Sequence, residues 1–438
     1  MDRPLSGKHF ELVNRARLGE GLRALQNPQL VKYADEALLA SCLEALSSHK
    51  ALVEHRDVDR LSMALADVQA GNAVALQLGD CAERFEDAHY ASVHARVHLY
   101  LFVARRLQEH LKRRVIPIGR FAGQFGKPRS TIQERAEDGS IAMQAYRGDI
   151  VNDVRADVTA RSPDPRRMLG AYTCAARTIA MADEVLSSSL LKDGGGRVGA
   201  SLYTSHELFL LPFELAMTRQ VTAKTLYDLS AHFLWIGERT RSPGGAHIAF
   251  AKTIANPLGI KLGPNAAPDD VVQLVRSLNP QNLLGKIVLI TRLGVGQVAT
   301  ALPAMIGAVQ RAGIGVIWGC DPLHGNSELT LVGLKSRHYA NVVSELEQTI
   351  RIHARCASSL GLVHLEVTPE RVTECIGGPG PAAKEADVST CYRSACDPRL
   401  SDLQTIELIE EICARAGSLW RTTLEEERLR ASFGVVAQ

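Results

Sequence analysis

Four residues of the chain supply a thiolate, an imidazole and two carboxylates, donor types that suit a catalytic divalent ion of borderline character. They are Cys81, His324, Glu366 and Asp397. Three of them follow short apolar segments that predict strands, and Asp397 lies in the turn Cys396-Asp-Pro-Arg399. No spacing rule links them, because they lie far apart in the sequence. A structural thiol at Cys81, a backbone-bonded histidine at His324 and solvated carboxylates at the other two positions stay open as alternatives.

Six cations form a second group of candidates, and most of them also follow predicted strands. They are Arg120, Lys127, Arg129, Arg239, Lys261 and Arg292. Several buried cations are costly unless an anion of high charge occupies the site, and guanidinium groups suit phosphate and carboxylate oxygens. We therefore expect a substrate that carries both groups, or two phosphorylated substrates. The alternative is that each cation pairs with a nearby acid, Arg120 with Asp80 and Arg239 with Glu238.

Two further patterns support rival chemistries. A barrel lysine such as Lys261 can act as a Schiff-base nucleophile, although the neighbouring arginines favour an anion-binding ammonium. The segment Gly294-Val-Gly-Gln-Val-Ala299 follows a predicted strand and precedes a helix, with Asp321 further on. That pattern fits a dinucleotide-binding fingerprint and gives the rival hypothesis of an NAD(P)-linked oxidoreductase. It leaves the other strand-end groups unexplained.

The elements that must position these residues are apolar strand segments that alternate with helical patterns. The predicted strands are residues 73–79, 115–118, 200–205, 232–236, 259–260, 287–290, 315–318 and 362–365. The predicted helices between them include residues 93–112, 165–191, 268–278, 298–312 and 339–360. Strand–helix alternation predicts a parallel sheet, and eight strands predict a closed α/β fold, the (β/α)8 or TIM barrel. All strand C-termini of such a barrel lie on one rim, where the active site is built.

The two ends of the chain differ in their patterns. Residues 1–70 predict helices at 11–25, 28–48 and 58–70, with no strand signal. We interpret them as an N-terminal helical extension that packs on the barrel or takes part in oligomer contacts. Residues 71–438 are predicted to form the catalytic barrel with a C-terminal tail.

Composition narrows the class of protein further. Of 438 residues, 46% are apolar and 22% charged, and the net charge is only +2, so no global field indicates a nucleic acid or a membrane surface as partner. No apolar run approaches membrane-spanning length, and the N-terminus lacks a signal-like apolar region. Nine cysteines without a CxxC pair favour reduced thiols. A cytoplasmic enzyme is the expectation.

Several sequence motifs that contain the candidate residues resemble those of the type II (plant-like) 3-deoxy-D-arabino-heptulosonate 7-phosphate (DAHP) synthases. They are Leu76-Gln-Leu-Gly-Asp-Cys-Ala-Glu83, Gly119-Arg-Phe-Ala-Gly-Gln-Phe-Gly-Lys-Pro-Arg-Ser130, Tyr146-Arg-Gly-Asp149, Thr204-Ser-His-Glu207, Trp235-Ile-Gly-Glu-Arg-Thr240, Gly259-Ile-Lys-Leu-Gly-Pro264, Cys320-Asp-Pro-Leu-His-Gly-Asn326, Thr373-Glu-Cys-Ile-Gly-Gly378 and Cys396-Asp-Pro-Arg-Leu400. The resemblance implies a (β/α)8 barrel that joins phosphoenolpyruvate to erythrose 4-phosphate, the entry step of the shikimate pathway.

The resemblance also assigns roles to single residues. The metal ligands fall on Cys81, His324, Glu366 and Asp397, with Mn²⁺ or Co²⁺ as the expected ion. The phosphoenolpyruvate contacts fall on Arg120, Glu238, Arg239, Lys261 and Arg292. Lys127 matches the lysine near the reacting carbons, and Arg129 and Ser130 match the aldose-phosphate site. Lys127, Glu238, Cys81 and His324 are thus the expected catalytic residues.

A short segment bears on regulation. Only a Gly-rich link lies between the predicted helix that ends near Leu191 and the sequence motif that begins at Thr204. Long members of the family carry an extra helical pair there, which helps to form aromatic amino-acid sites. This chain resembles the short members, which often serve secondary-metabolite pathways such as those to phenazines or aminohydroxybenzoate-derived antibiotics. We therefore expect no feedback inhibition by aromatic amino acids.

Two further points follow from the family resemblance and the helical extension. A homo-oligomer, either a dimer or a tetramer, is expected because the helical extension favours self-association. An amino-sugar variant that uses an imine of erythrose 4-phosphate stays open, because no residue separates the two aldehyde-side substrates.

Overall fold

The apolar runs of the sequence form a closed barrel of eight parallel strands. The computed structural model of the protein describes residues 18–135, 142–192, 202–223 and 225–434. The strands are β1 Ala73–Gly79, β2 Arg114–Arg120, β3 Gln133–Arg135, β4 Ala142–Gln144, β5 Tyr203–Glu207, β6 Thr218–Thr222, β7 Thr225–Asp228, β8 Phe233–Ile236, β9 Leu258–Leu262, β10 Ile287–Thr291, β11 Ile317–Cys320, β12 Ser327–Leu329, β13 Lys335–Arg337 and β14 Leu360–Glu366. The barrel closes in the order β1, β14, β11, β10, β9, β8, β5, β2. The predicted (β/α)8 barrel is confirmed.

The helices cover the outside of the barrel, and the remaining strands form three hairpins, β3–β4, β6–β7 and β12–β13. The helices are α1 (residues 18–23), α2 Glu36–Ser48, α3 His55–Gln69, α4 Tyr90–Leu111, α5 Arg166–Lys192, α6 Leu211–Met217, α7 Ala246–Ala251, α8 Pro268–Leu278, α9 Val298–Arg311, α10 Tyr339–Arg355 and α11 Asp402–Gly434. The described residues also form 3₁₀ turns at Phe85–Asp87, His324–Asn326 and Glu385–Cys391. In the part of the chain described here, no helix is long and apolar enough to cross a membrane.

The strand register sets the height of each residue on the rim. Gly79 at the end of β1 pairs with Arg120 of β2 on one side and with Glu366 of β14 on the other. Because side chains alternate along a strand, a one-residue slip would turn Arg120 and Glu366 away from the barrel interior. The chain continues from Gly79 directly into Asp80 and Cys81, so three candidate site residues share one edge of the rim.

The N-terminal extension closes the opposite end of the barrel. Leu61, Leu65 and Val68 of α3 are buried and belong to the same apolar cluster as Ile116 and Val288 of the barrel strands. A Cβ at Gly361, at the start of β14, would lie 2.9 Å from Val68. The helix therefore packs against the N-terminal strand ends, away from the rim that carries the candidate site.

Several boundaries differ from the sequence prediction. The helix predicted for residues 28–48 begins only at Glu36, because the Asp35 side chain accepts the backbone N–H of Leu38 at 2.8 Å and caps it there. The helix predicted to reach residue 360 ends at Arg355, since Leu360 already starts β14. The C-terminal region was expected to be a tail, but it forms the 33-residue helix α11. Some predictions lie outside the described residues. They are residues 11–17 of the helix predicted for 11–25, the Gly-rich link at 193–199 and residues 200–201 of a predicted strand.

Candidate active site

The four predicted metal ligands meet at the C-terminal rim of the barrel. The sulfur of Cys81 lies 3.7 Å from Asp397 Oδ2. His324 Nε2 lies 3.2 Å from Glu366 Oε1 and 3.8 Å from Asp397 Oδ2. Donor atoms of Cys81, Glu366 and Asp397 all lie within 4.8 Å of one another. The structure thus brings together residues that are up to 316 positions apart in the chain.

One cationic group reaches all four of these donors. The Lys127 ammonium lies 3.1 Å from Cys81 Sγ and 2.9 Å from Asp397 Oδ2. It also lies 3.5 Å from Glu366 Oε1 and 3.4 Å from His324 Nε2. Donors that surround one cation converge on one point, and a mixed sulfur, nitrogen and oxygen set fits a divalent ion of borderline character. The residues present therefore fit the metal that the sequence predicts.

Within this cluster, Asp397 and Lys127 each stabilise the charged form of the other. Burial raises the pKa of Asp397, but the charges of Lys127, His324 and Lys335 together outweigh it, and the net pKa lies well below the usual value. Burial lowers the pKa of Lys127, but Asp397, Cys81 and Glu366 outweigh it and the net pKa lies well above the usual value. Burial also raises the pKa of the Cys81 thiol well above its usual value. A metal ion at this thiol would therefore release a proton on binding.

Three charged residues orient the donors, and sequence reasoning missed all three roles. Asp321 Oδ2 lies 2.7 Å from His324 Nδ1, which leaves Nε2 directed at the other donors. Arg337 Nη2 binds Glu366 Oε2 at 2.8 Å, and Lys335 Nζ binds Asp397 Oδ1 at 2.7 Å. A carboxylate behind a ligating histidine is a recurrent feature of metal sites. Asp321 had one usable signal, its position three residues before His324, whereas the two cations had none.

Four of the six candidate cations are paired with acids. Arg120 lies 3.1 Å from Glu366, and Lys261 lies 2.5 Å from Asp321. Arg129 lies 2.7 Å from Glu134. The fourth cation, Lys127, contacts Asp397 and Glu366 as described above. The alternative pairing of Arg120 with the side chain of Asp80 is wrong. Arg120 Nε donates to the backbone carbonyl of Asp80 at 3.0 Å, and the Asp80 carboxylate binds Arg399 and Arg96 instead.

The other two cations, Arg239 and Arg292, lack an acid partner among the described residues. The alternative pairing of Arg239 with Glu238 is wrong, because Glu238 binds Arg241 at 2.7 Å and accepts the backbone N–H of Gly263 at 2.7 Å. Arg239 is exposed. The Arg292 Nε is buried without a hydrogen-bond partner, and its Nη2 reaches only the His324 carbonyl, at 3.4 Å. Unsatisfied guanidinium donors are suited to an incoming anion.

A buried histidine holds two cations side by side, and the sequence reading passed over it. His364 Nε2 lies 2.8 Å from Lys261 Nζ and also contacts Arg120 Nη1. Its Nδ1 lies 2.6 Å from Gln77 Oε1. Since two cations point at Nε2, that atom must accept and Nδ1 must carry the proton. Burial, with the charges of Lys261 and Arg120, places the pKa of His364 well below the usual value, so the ring is neutral.

The turn that carries Lys127, Arg129 and Ser130 is held from outside the barrel. The Lys127 N–H donates to the Arg147 carbonyl at 2.9 Å. Gln29, in the N-terminal extension, bonds both main-chain groups of Arg129. Ser130 is exposed at the end of the turn. The three predicted residues therefore lie on one segment at the mouth of the site.

The Gly-rich segment 294–299 has a packing explanation. Gly294 has φ +83°, and a Cβ there would lie 2.6 Å from the Gly325 carbonyl oxygen, next to His324. The carboxylate of Glu345 accepts the N–H groups of Leu293 and Gly294 at 3.0 and 2.9 Å. The glycine thus lets the loop after β10 approach the loop after β11, a requirement that does not involve a dinucleotide.

A parallel barrel whose charged side chains gather at the C-terminal rim is the arrangement of a barrel enzyme. The model of the class-II DAHP synthetase family matches residues 19–193 and 196–413 of this chain. The chain belongs to that family, so the resemblance seen in the sequence motifs is confirmed.

Two curated relatives extend the comparison over nearly the whole chain. One is the phospho-2-dehydro-3-deoxyheptonate aldolase AroG of Mycolicibacterium smegmatis, which is 35% identical over 92% of this chain and 95% of the relative. The other is the phospho-2-dehydro-3-deoxyheptonate aldolase of Neurospora crassa, which is 36% identical over 87% of this chain and 90% of the relative.

Proposed function

We propose that the protein condenses phosphoenolpyruvate with D-erythrose 4-phosphate and water to give DAHP and inorganic phosphate. Its family and the names of the two relatives support this activity. The observation that carries the proposal is the convergence of four metal donors on the Lys127 ammonium, beside Arg292, whose buried Nε has no hydrogen-bond partner in the described part of the chain.

The proposed metal is a divalent ion, Mn²⁺ or Co²⁺, held by Cys81, His324, Glu366 and Asp397. The thiolate in the donor set favours such an ion over Mg²⁺ or Ca²⁺, which prefer oxygen ligands. When bound, the ion supplies a Lewis acid for a carbonyl oxygen.

Phosphoenolpyruvate is proposed to lie between two pairs of cations. Arg120 and Lys261 would bind its carboxylate, because both contact His364 Nε2 and so lie next to each other. Arg239 and Arg292 would bind its phosphate, because neither is neutralised by an acid among the described residues. They follow β8 and β10, the two neighbours of the strand that carries Lys261. Orientation of two reactants in this way can contribute about 7–11 kcal/mol.

The reaction then needs a carboxylate that stabilises positive charge on phosphoenolpyruvate and a proton donor for the aldehyde oxygen. C3 of phosphoenolpyruvate attacks C1 of the aldehyde, and C2 acquires cationic character that the Glu238 carboxylate stabilises while water adds there. The resulting hemiketal phosphate loses inorganic phosphate and leaves the C2 ketone. Lys127 is the proposed proton donor to the new C1 hydroxyl, and the acids around it keep it protonated. Arg129 and Ser130 would bind the phosphate of erythrose 4-phosphate.

The finer expectations stay predictions. The Gly-rich link on which the expected lack of feedback inhibition depends lies outside the described residues. We also propose a secondary-metabolite role, a cytoplasmic location, a homo-oligomer and a two-part division of the chain at residue 70. The imine of erythrose 4-phosphate is the alternative aldehyde-side substrate. The NAD(P)-linked alternative is not favoured, because the family match and the packing role of Gly294 leave it without support.

Product analysis tests the proposal. The purified protein is incubated with phosphoenolpyruvate, with either Mn²⁺ or Co²⁺ and with either erythrose 4-phosphate or its imine, and the products are identified by mass spectrometry. We expect DAHP and one phosphate per molecule of product with erythrose 4-phosphate. Formation of the amino product alone would replace the proposed substrate by the imine. Unchanged phosphoenolpyruvate with both partners and with either metal would overturn the proposal.

A further inference from the structure

The N-terminal extension reaches the active-site rim through one buried side chain. Residues 24–35, between α1 and α2, are not helical. Within this segment Gln29 is only 9% exposed, whereas Gln26 and Leu30 on either side are exposed. A long polar side chain that is buried between two exposed neighbours is held by specific hydrogen bonds.

The Gln29 amide forms a reciprocal pair with the backbone of Arg129. Its Nε2 donates to the Arg129 carbonyl at 3.1 Å, and its Oε1 accepts the Arg129 N–H at 3.0 Å. Both main-chain groups of Arg129 are thus satisfied by one side chain located 100 positions away. Within the described ranges no strand or helix supplies these bonds, so the conformation at Arg129 depends on Gln29.

A buried arginine secures Gln29 from the other side. Arg147 Nη2 donates to the Gln29 carbonyl at 2.6 Å and to its Oε1 at 3.2 Å. The Arg147 guanidinium lies over the ring of Phe209, 5.0 Å from its centre. The Arg147 carbonyl also accepts the N–H of Lys127. Arg147 therefore fixes one end of the turn 127–130 directly and the other end through Gln29.

We propose that Gln29 is a positioning residue for the aldehyde substrate. By fixing the main chain at Arg129, it sets the direction of Arg129 and Ser130 towards the phosphate of erythrose 4-phosphate. The residues proposed for phosphoenolpyruvate follow or belong to barrel strands and do not depend on Gln29. The inference rests on the proposed function and gives the N-terminal extension a part in the affinity for one substrate.

Steady-state kinetics separate this role from a merely structural one. In Gln29→Ala we expect the KM for erythrose 4-phosphate to rise about tenfold, which corresponds to ~1.4 kcal/mol, while the KM for phosphoenolpyruvate changes by less than about twofold. The size follows from the loss of a few hydrogen bonds to neutral groups. Gln29→Glu, which keeps the acceptor and loses the donor, should give an intermediate value. The Gln29→Glu variant also tests the inference if Gln29→Ala does not fold.

The matched control is Gln26→Ala, which removes the same amide from an exposed position of the same segment. It should retain both wild-type KM values. An unchanged KM for erythrose 4-phosphate in both Gln29 variants, or an equal rise of both KM values, would overturn the inference.

A second measurement does not depend on turnover. Hydrogen–deuterium exchange of the peptide that covers residues 127–132 should be faster in the Gln29 variants than in the wild type, and unchanged in Gln26→Ala. Unaltered exchange in the Gln29 variants would contradict the positioning role. If the wild type makes no DAHP, the proposed function fails, yet the exchange result still tests whether Gln29 holds this turn.

Discussion

At the scale of single residues, the guanidinium of Arg292 is less saturated than that of Arg120, another of the proposed phosphoenolpyruvate contacts. Among the described residues, its Nε is buried without a partner and its Nη2 has one long contact, whereas Arg120 has four acceptors of its protons in the barrel. A buried donor without an acceptor costs about 1–3 kcal/mol. A bound phosphate would accept this hydrogen bond and remove the cost, so Arg292 favours binding of an anion.

Substitution of this residue tests that interpretation. For Arg292→Ala we expect the KM for phosphoenolpyruvate to rise about tenfold to a hundredfold, because hydrogen bonds to charged groups contribute about 1.5–3 kcal/mol. The KM for erythrose 4-phosphate should change little. Arg355→Ala, which removes an exposed arginine at the end of α10, is the control. Equal effects of Arg292→Ala on both substrates would contradict the assignment.

The pH dependence should report on Lys261. Burial lowers the pKa of Lys261 to about 8, and the nearby Arg120 acts in the same direction while Asp321 opposes it. His364, the other group in contact, is neutral. The ammonium is therefore present below about pH 8 and is lost above it, so kcat/KM for phosphoenolpyruvate should fall as the pH rises through about 8. The profile of Lys261→Met, measured alongside, should lack this alkaline limb. A limb that persists in the variant would assign it to another group.

At the scale of elements, the loops after β10 and β11 hold Arg292 and His324 in place together. Glu345 of α10 is buried and accepts the N–H groups of Leu293 and Gly294, and it also accepts Asn326 Nδ2 at 2.7 Å. Burial is the main reason that the pKa of Glu345 is raised to about 7. One carboxylate thus joins a helix to two loops of the site.

Removal of that carboxylate should destabilise the protein. Glu345→Ala leaves three donors buried without their acceptor, at a cost of about 1–3 kcal/mol for each unsatisfied group. Urea unfolding should show a clear loss of stability. Glu347→Ala, two residues along the same helix, removes a carboxylate that pairs with exposed arginines and should cost less than about 1 kcal/mol. Similar stabilities of the two variants would refute the role of Glu345.

The barrel strands were readable in the sequence because they are buried on both faces and so form continuous apolar runs. The predicted strand 73–79 agrees with β1 at both ends, whereas Lys261, expected after its strand, lies inside β9. The four proposed metal ligands could be chosen by donor type and, for three of them, by position after a strand. Their supports, such as Arg337 and His364, could not be chosen, because their partners depend on register and loop packing.

At the scale of the whole molecule, the extension contacts both ends of the barrel. Helix α3 closes the N-terminal end with apolar side chains, and Gln29 reaches the turn at the C-terminal rim. The net charge of only +2 means that long-range attraction of the two anionic substrates is weak. Affinity must then come from the cations at the rim, which is consistent with the burial of Arg120, Lys127 and Lys261 and with the Arg292 Nε, which has no partner among the described residues.

The central claim is that one divalent ion, bound by Cys81, His324, Glu366 and Asp397, is needed to join the two substrates. The most direct test is to remove metal with a chelator and then to titrate Mn²⁺ while DAHP formation and bound metal are measured together. We predict no turnover without metal and a linear rise that ends at one ion per chain. Asp397→Asn should both weaken binding of the ion and lower turnover. Full turnover of the wild type in excess chelator would contradict the claim.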